Sequence, residues 1–171
     1  LYIVIPAYNE EMNITSVARE WHTVVETISE DSKLVIIDDG SKDSTYQVLT
    51  ELSKELPQLE VITKKNSGHG ATVLYGYRYA LEQNADYIFQ TDSDGQTLPE
   101  EFYGFWELRD KYSAVIGYRN HRKDGFSRVF VTKTLKFVLW CIFKLNITDA
   151  NTPFRLLNRD VLQRHISKIP K

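Results

Sequence analysis

This sequence contains very little cysteine and no long hydrophobic run. Its 171 residues include one cysteine, Cys141, so no disulfide can form within the chain, which fits a reducing compartment. These residues show no signal-peptide pattern, and no apolar run among them approaches the roughly 20 residues that a membrane-spanning helix needs. Because the chain opens without methionine, inside the apolar run 1–5, we expect it to be a trimmed piece of a longer protein.

Two glycine patterns that hold cofactor phosphates are also absent. Gly68-His69-Gly70 would begin a G-x-G-x-x-G pattern, but Val73 occupies its last position, which argues against a nicotinamide or flavin cofactor. No Gly-Lys-Ser or Gly-Lys-Thr occurs, so the chain has no P-loop. Gly68 still opens a predicted helix, where backbone N–H groups can approach a phosphate or a ribose.

The net charge of −2 conceals a strong asymmetry along the chain. Residues 1–116 hold 9 Lys and Arg against 20 Asp and Glu, a net of −11, whereas residues 117–171 hold 12 against 3, a net of +9. Such a split indicates that the C-terminal part meets an anion, a membrane surface or the acidic part itself. A basic surface that is merely solvated is the alternative.

Apolar runs alternate with helical patterns through most of the chain. Strands are predicted at 1–5, 34–37, 61–63, 87–89 and 114–116, with helix-spaced apolar residues between them. This alternation predicts an α/β fold with a mostly parallel central sheet and helices on both faces. The length suits a single domain. We divide it into residues 1–116, which would bind the nucleotide-linked part of a substrate, and residues 117–171, which would bind an acceptor.

Each of the first four predicted strands ends in a polar or glycine-rich cluster. The clusters lie at 8–10, 38–41, 66–70 and 92–96. In such sheets ligands bind outside the carboxyl ends of the strands, which all lie at one edge. One common ligand therefore explains the four clusters better than four separate turns.

The last cluster, Asp92-Ser93-Asp94-Gly95-Gln96, places two carboxylates one residue apart. These carboxylates would repel each other in water, and a divalent cation would remove that conflict. Mg²⁺ is commonly shared between one or two carboxylates and the phosphates of a substrate. The amide oxygen of Gln96 could add a further ligand. A polar turn, with Pro99 opening the next helix, is the alternative.

Four segments resemble family 2 glycosyltransferases with the GT-A fold, in matching order and spacing. They are Val4-Ile5-Pro6-Ala7-Tyr8-Asn9-Glu10, Val35-Ile36-Ile37-Asp38-Asp39-Gly40-Ser41-x-Asp43-x-Thr45, Asn66-x-Gly68-x-Gly70-Ala71 and Asp92-x-Asp94-x-Gln96-x-x-Pro99-Glu100. The resemblance covers about residues 2–101 and is far more specific than any one motif. It implies transfer of a sugar from a UDP- or GDP-linked donor, with inversion at the anomeric carbon.

The resemblance also implies roles for the matched positions. The residues that would bind the nucleotide sugar are Pro6, Tyr8, Glu10, Asp38, Asp39, Gly68, Asp92 and Ser93. Asp92, Asp94 and Gln96 would bind Mg²⁺ or Mn²⁺ at the diphosphate. Such a metal stabilises the charge that grows on the leaving nucleoside diphosphate, so Asp94 is also predicted to be catalytic.

The second half resembles a narrower group, the polyprenyl-phosphate glycosyltransferases, which include dolichyl-phosphate mannose synthase. The matching segments are Gly117-Tyr118-Arg119-Asn120-His121-Arg122, continuing to Arg128, and Asp149-Ala150-Asn151-Thr152-Pro153-Phe154-Arg155. The resemblance implies a dolichyl or undecaprenyl phosphate acceptor, bound by Arg119, Arg122, Arg128 and Arg155. Arginine suits bidentate contact with phosphate, and Arg119 and Arg128 are predicted to be catalytic.

Two features of the second half have more than one interpretation. Asp149 is a candidate catalytic base, but equally a partner for Arg155 or a helix cap. Segment 126–147 holds an apolar run flanked by lysines. That composition fits a helix lying in a membrane interface, although a buried core helix is the alternative. We expect the protein at the cytoplasmic side of a membrane, without a nucleic-acid partner.

Three other functions compete with this prediction. A glycosyltransferase that extends a saccharide would need a base to deprotonate a sugar hydroxyl, and it would leave the basic C-terminal part unexplained. A sugar nucleotidyltransferase usually carries a glycine-rich loop with a basic residue after its first strand, and residues 6–11 contain neither. An inactive binding module is disfavoured because Asp92, Asp94 and Gln96 are all present.

Overall fold

A computed structural model describes residues 1–117 and 152–169, and elements are numbered within those ranges. The strands are β1 Tyr2–Ala7, β2 Lys33–Asp38, β3 Leu59–Thr63, β4 Tyr87–Gln90, β5 Ala114–Ile116 and β6 Arg155–Asn158. The helices are α1 Ile14–Ile28, α2 Thr45–Glu55, α3 His69–Glu82, α4 Phe102–Glu107 and α5 Arg159–His165. Two 3₁₀ turns lie at Pro99–Glu101 and Ile166–Lys168.

The strands form one sheet in the order β3-β2-β1-β4-β6-β5. β1 pairs in parallel with β2 and β4, and β2 pairs in parallel with β3. β6 is antiparallel to β4 and places Arg155 opposite Gln90. The predicted α/β fold with a mostly parallel sheet is therefore confirmed. β6 itself was not predicted, because Arg155-Leu156-Leu157-Asn158 offers only two apolar residues between polar ones.

Helices cover both faces of the sheet, as the sequence predicts. Alternate strand residues point to opposite faces, so Ile3, Ile36 and Phe89 pack with α1, α2 and α4. On the other face, Val4 and Ile88 pack with α3 and α5. Complete burial of one such side chain stabilises the fold by about 1.5–3 kcal/mol. These two cores hold the strand ends, and the loops after them, in fixed positions.

Helix α3 packs unusually close to the sheet at Gly76. A Cβ atom built at Gly76 would lie 2.7 Å from Ile37 Cδ1 and still closer to Val4 Cγ1. Any larger residue would force the helix away from the strands. Glycine thus allows the next residue, Tyr77, to pack directly against the sheet as part of the core.

The chain divides into two compact units, residues 1–115 with 154–171, and residues 116–153. The predicted division into a donor-binding part, 1–116, and an acceptor-binding part, 117–171, stays a prediction. Residues 154–171 group with the first unit, since β6 extends the sheet and Leu162 of α5 joins its core. Within the ranges 1–117 and 152–169, no helix has the length and apolar character needed to cross a membrane. Segment 126–147 lies outside the described residues.

Candidate functional site

A cavity of about 460 Å³ opens where β1 to β4 end. All four polar clusters predicted to share one sheet edge contribute residues to it. The lining residues are Pro6, Ala7, Tyr8, Glu10, Asp39, Asn66, Gly68, His69, Thr72, Asp92, Ser93 and Asp94. Seven of the eight residues predicted to bind a nucleotide sugar are in this set; the eighth, Asp38, is not.

Asp38 is buried and takes part in the turn that ends β2. Its carboxylate accepts hydrogen bonds from the Thr63 hydroxyl at 2.8 Å and from the Ser41 backbone N–H at 3.2 Å. These contacts tie the end of β2 to the end of β3. They fit a structural role better than the predicted contact with a base or ribose, which stays a prediction.

Asp39 lines the cavity although its side chain is only 5% exposed. It accepts 2.9 Å hydrogen bonds from the backbone N–H groups of Ser67 and Gly68, and it forms an ion pair with Lys64. Burial raises the pKa of this carboxyl, but hydrogen bonds from Lys64, Ser67, Thr72 and Gly68 outweigh burial and hold the pKa below its ordinary value. Asp39 thereby fixes the loop that leads into α3.

The four donors around Asp39 limit what it can bind. A carboxylate offers about four lone-pair positions, and Asp39 already has four donors. A hydrogen bond from a nucleotide base or ribose would have to share a lone pair or displace one of these donors. The predicted contact between Asp39 and the nucleotide therefore stays a prediction.

The loop after β1 is braced against the loop after β2. The Asn9 backbone N–H donates to Ser41 Oγ at 2.9 Å, and the Glu10 backbone N–H donates to Thr45 Oγ1 at 2.8 Å. Asn9 has a left-handed backbone with φ of 57°, a conformation that asparagine tolerates better than most residues. This bracing fixes the position of Tyr8, whose side chain is exposed at the cavity.

Asp92 and Asp94 both line the cavity after β4. Asp92 Oδ1 lies 3.8 Å from His69 Nε2 at the start of α3. Asp94 Oδ1 accepts a 3.0 Å hydrogen bond from the Gln96 backbone N–H across Gly95, whose φ is +70°. This turn holds the Asp94 carboxylate in place, while Gln96 itself is exposed and does not line the cavity.

The donor atoms at this edge fit a hard divalent cation that also binds a substrate. In the described parts of the chain, no group of three or more His, Cys, Asp or Glu residues could hold a metal unaided. Mg²⁺ commonly takes one or two protein carboxylates and completes its coordination with water and substrate phosphates. Asp92 and Asp94 supply that number of carboxylates, and the part predicted for Gln96 stays a prediction.

Four lining residues, Ala7, Asn66, His69 and Thr72, were not predicted as site residues. For the 66–70 loop, the glycine pattern indicated a role for backbone N–H groups alone. Among the described residues that line the cavity, His69 is the only one whose side chain can become cationic. Its place between the two glycines that open α3 is the signal that would have indicated it.

Of the residues predicted to bind the acceptor, the structure describes Arg155. It begins β6 opposite Gln90 and contacts the Tyr77 side chain. Arg155 thus lies at the sheet edge where β4 ends, although it is not among the residues that line the cavity. Arg119, Arg122, Arg128 and Asp149 lie outside the described residues.

Comparisons with known proteins agree with this architecture. The chain is 27% identical to UDP-N-acetylglucosamine--dolichyl-phosphate N-acetylglucosaminyltransferase of Methanococcus voltae, over 95% of this chain and 71% of the relative. It is 27% identical to undecaprenyl-phosphate 4-deoxy-4-formamido-L-arabinose transferase of Pseudomonas fluorescens, over 94% of this chain. It spans about half of that relative, 47%.

One solved structure shares the fold at low sequence identity. It is glucosyl-3-phosphoglycerate synthase from Mycobacterium tuberculosis in complex with Mn²⁺, UDP-glucose and phosphoglyceric acid. The TM-score is 0.66 and the identity 18%, over 94% of this chain and 57% of that chain. This likeness confirms the predicted GT-A fold. The model of the family described as Glycosyl transferase family 2 matches residues 2–166, and the chain therefore belongs to that family.

Proposed function

We propose that this protein transfers a sugar from a nucleotide-sugar donor to a polyprenyl phosphate, either dolichyl or undecaprenyl phosphate. The observation that carries the proposal is the convergence of four strand-end clusters, including Asp92 and Asp94, around one cavity. Both relatives named above are glycosyltransferases whose names specify a polyprenyl phosphate. Their names support the choice of acceptor.

The donor would lie in the cavity with its nucleoside toward Tyr8 and Glu10. The aromatic ring of Tyr8 gives a base a surface for stacking, and Glu10 offers a carboxylate to a ribose hydroxyl. The diphosphate would then face Gly68 and His69 at the N-terminus of α3. Backbone N–H groups and the dipole of a 14-residue helix favour an anion there. We favour UDP over GDP, on resemblance alone.

Asp92 and Asp94 would hold Mg²⁺ or Mn²⁺ beside that diphosphate. When bound, the metal lowers the barrier by stabilising the negative charge that develops on the leaving nucleoside diphosphate. The solved complex of the Mycobacterium enzyme contains Mn²⁺ together with UDP-glucose, which supports this assignment. The protein itself contributes by fixing the Asp94 carboxylate through the turn at Gly95.

The acceptor phosphate would approach from the side of Arg155, with Arg119, Arg122 and Arg128 as its other predicted partners. A phosphate is already an anion at neutral pH, so its oxygen needs no base such as Asp149. That oxygen would form a bond to the anomeric carbon as the bond to the diphosphate breaks. Direct attack from the opposite side inverts the configuration at this carbon. The arginines would offset repulsion between the two anions.

We propose further that the reaction takes place at the cytoplasmic face of a membrane. The net charge of +9 over residues 117–171 favours contact with anionic lipid. The apolar segment 126–147 would accommodate the polyprenyl tail. Both arguments come from the sequence, as segment 126–147 lies outside the described residues.

The experiment offers the whole protein a radiolabelled nucleotide sugar, Mn²⁺, and either a polyprenyl phosphate or free oligosaccharides. Label is expected in the lipid phase, and an excess of EDTA should abolish its incorporation. Label on the oligosaccharides alone would overturn the lipid assignment and favour a saccharide-extending enzyme. Calorimetric titration with UDP and GDP, with and without Mn²⁺, identifies the donor nucleotide.

A further inference from the structure

Three polar side chains meet beneath the sheet edge, outside the lining of the cavity. The Tyr77 hydroxyl on α3 donates a 2.5 Å hydrogen bond to Gln90 Oε1 on β4. The same hydroxyl is hydrogen-bonded to Arg155 on β6. Tyr77 is 6% exposed and Gln90 is 3% exposed, so the hydrogen bond between them is enclosed by the core. Nothing in the proposed donor site explains its presence there.

The fold brings these residues together through two features described above. Gln90 and Arg155 are direct partners in the β4–β6 ladder, and cross-strand partners point to the same face of a sheet. That face is the one on which α3 packs, because Ile88, two residues before Gln90, contacts the α3 core. Gly76 allows α3 to approach closely enough for the Tyr77 hydroxyl to reach both strands.

Each of the two hydrogen bonds of the Tyr77 hydroxyl can have only one direction. A guanidinium can only donate, so the Tyr77 oxygen accepts from Arg155 and its O–H donates to Gln90. Burial raises the pKa of Tyr77 to about 12, against the opposing effect of Arg155. The hydroxyl therefore keeps its proton at neutral pH and can serve both partners. Buried polar groups that are satisfied in this way are held in one geometry.

Of these three residues, Arg155 is the one that can also bind a ligand. It is partly exposed, whereas Tyr77 and Gln90 are buried. Its guanidinium carries five N–H donors, so it can bind Tyr77 and an anion at the same time. Arg155 lies at the edge where β4 ends but does not line the cavity. An anion bound by Arg155 would therefore lie beside the donor and would be the second substrate rather than the first.

We propose that Tyr77 and Gln90 are positioning residues that orient the Arg155 guanidinium toward the acceptor phosphate. This inference rests on the proposed function, since that function supplies the phosphate. The hydrogen bonds from Arg155 to Tyr77 and from Tyr77 to Gln90 hold the guanidinium in position before the acceptor binds. Less rotational freedom is then lost when the phosphate binds. Tyr77 and Gln90 themselves touch neither substrate.

The test compares two Tyr→Phe variants on the same helix. Tyr77→Phe removes the hydroxyl that holds Arg155 and keeps the ring in the core. Tyr79→Phe is the matched control, because the Tyr79 hydroxyl donates a 2.8 Å hydrogen bond to Glu60 instead. Transfer to polyprenyl phosphate is measured with the whole protein at varied acceptor concentration. Affinity for UDP or GDP with Mn²⁺ is measured by calorimetry, and thermal unfolding monitors the fold.

We expect Tyr77→Phe to lower kcat/KM for the acceptor by roughly tenfold or more, the usual effect of losing one hydrogen bond to a charged group. Tyr79→Phe should stay within about twofold of wild type, and both variants should bind nucleoside diphosphate normally. Combining Tyr77→Phe with Arg155→Ala should add nothing to the loss from Arg155→Ala alone, because the hydroxyl acts through that arginine.

Two results would separate this inference from the proposed function. If wild-type protein transfers no sugar to any polyprenyl phosphate, the proposed function fails. If wild type is active but Tyr77→Phe matches Tyr79→Phe, the positioning role alone fails. An undiminished effect of Tyr77→Phe in the Arg155→Ala background would also overturn it, since the tyrosine would then act through packing.

Discussion

The carboxylate of Asp39, just after β2, accepts a 2.9 Å hydrogen bond from the backbone N–H of Gly68, just before α3. This bond joins two loops that are far apart in sequence and places the first turn of α3 at the cavity. The N-terminus of that helix is where a diphosphate would be bound. Stability of the fold and geometry of the candidate site therefore depend on the same carboxylate.

Asp39→Asn should destabilise the protein and change its response to acid. The variant loses the charge that pairs with Lys64, and we expect its free energy of unfolding at neutral pH to fall by about 1–3 kcal/mol. The folded-state pKa of Asp39 lies below its ordinary value of 3.8. The stabilisation is therefore fully present above that pH and is lost as the pH falls through the folded-state pKa.

Urea unfolding at a series of pH values tests this expectation. The difference in stability between wild type and Asp39→Asn should shrink as the pH drops below about 4. Asp31→Asn, at an exposed turn residue, is the control and should follow the wild-type profile. A difference that stays constant from neutral to acidic pH would show that the ionised carboxylate is not what stabilises the loop.

The sequence pattern predicted the central strands well because they are covered on both faces. β1 and β2 contain continuous apolar runs, the pattern typical of buried parallel strands. β6 could not be found in this way. It is four residues long, and the strands that flank it, β4 and β5, lie much earlier in the chain. Pairing with them makes 155–158 a strand. A short strand with polar ends that forms through long-range pairing cannot be recognised from its own residues.

The candidate site, like the sheet, could be predicted only in part. Strand-end clusters identified Asp39, Asp92 and Asp94 as cavity residues, because the carboxyl ends of parallel strands must share an edge. The pattern could not distinguish Asp38 from Asp39, since most hydrogen-bond partners of these two carboxylates come from residues 63–72, after β2. The contacts of Tyr77 could not be predicted from the pattern either. Its hydroxyl contact with Gln90 depends on how closely α3 approaches the sheet.

Asp38→Ala and Asp39→Ala should differ in their effect on nucleotide binding. Asp39 lines the cavity and holds Gly68 in place, so Asp39→Ala should weaken nucleoside diphosphate binding by roughly 1–3 kcal/mol. Asp38→Ala removes the contacts with Ser41 and Thr63 and should reduce stability more than affinity. Calorimetry and thermal unfolding on both variants measure the two effects. Equal losses of affinity would show that Asp38 also contributes to the nucleotide site.

Arg119→Lys should impair transfer more than donor binding. Lysine keeps the positive charge but lacks the two-pronged geometry with which arginine binds phosphate. We expect a lower kcat/KM for polyprenyl phosphate with little change in nucleotide affinity, and a larger loss in Arg119→Ala. The control is the opposite exchange, Lys111→Arg, at a residue that does not line the cavity. Loss of nucleotide affinity in Arg119→Lys would place this arginine with the donor instead.

Asp94→Asn should remove turnover and leave the fold intact. The substitution relieves repulsion between two carboxylates that line the same cavity, so thermal stability without metal should be unchanged or slightly higher.

Loss of a metal ligand at the leaving group costs several kcal/mol of transition-state stabilisation, a fall in kcat of roughly 100-fold or more. Glu100→Gln, on the exposed 3₁₀ turn that follows, removes a nearby charge and should keep wild-type activity. Because the proposed metal would link Asp94 to the diphosphate, Mn²⁺ should increase affinity for nucleoside diphosphate in wild type but not in Asp94→Asn. Full activity of either protein in excess EDTA would contradict a metal at this site.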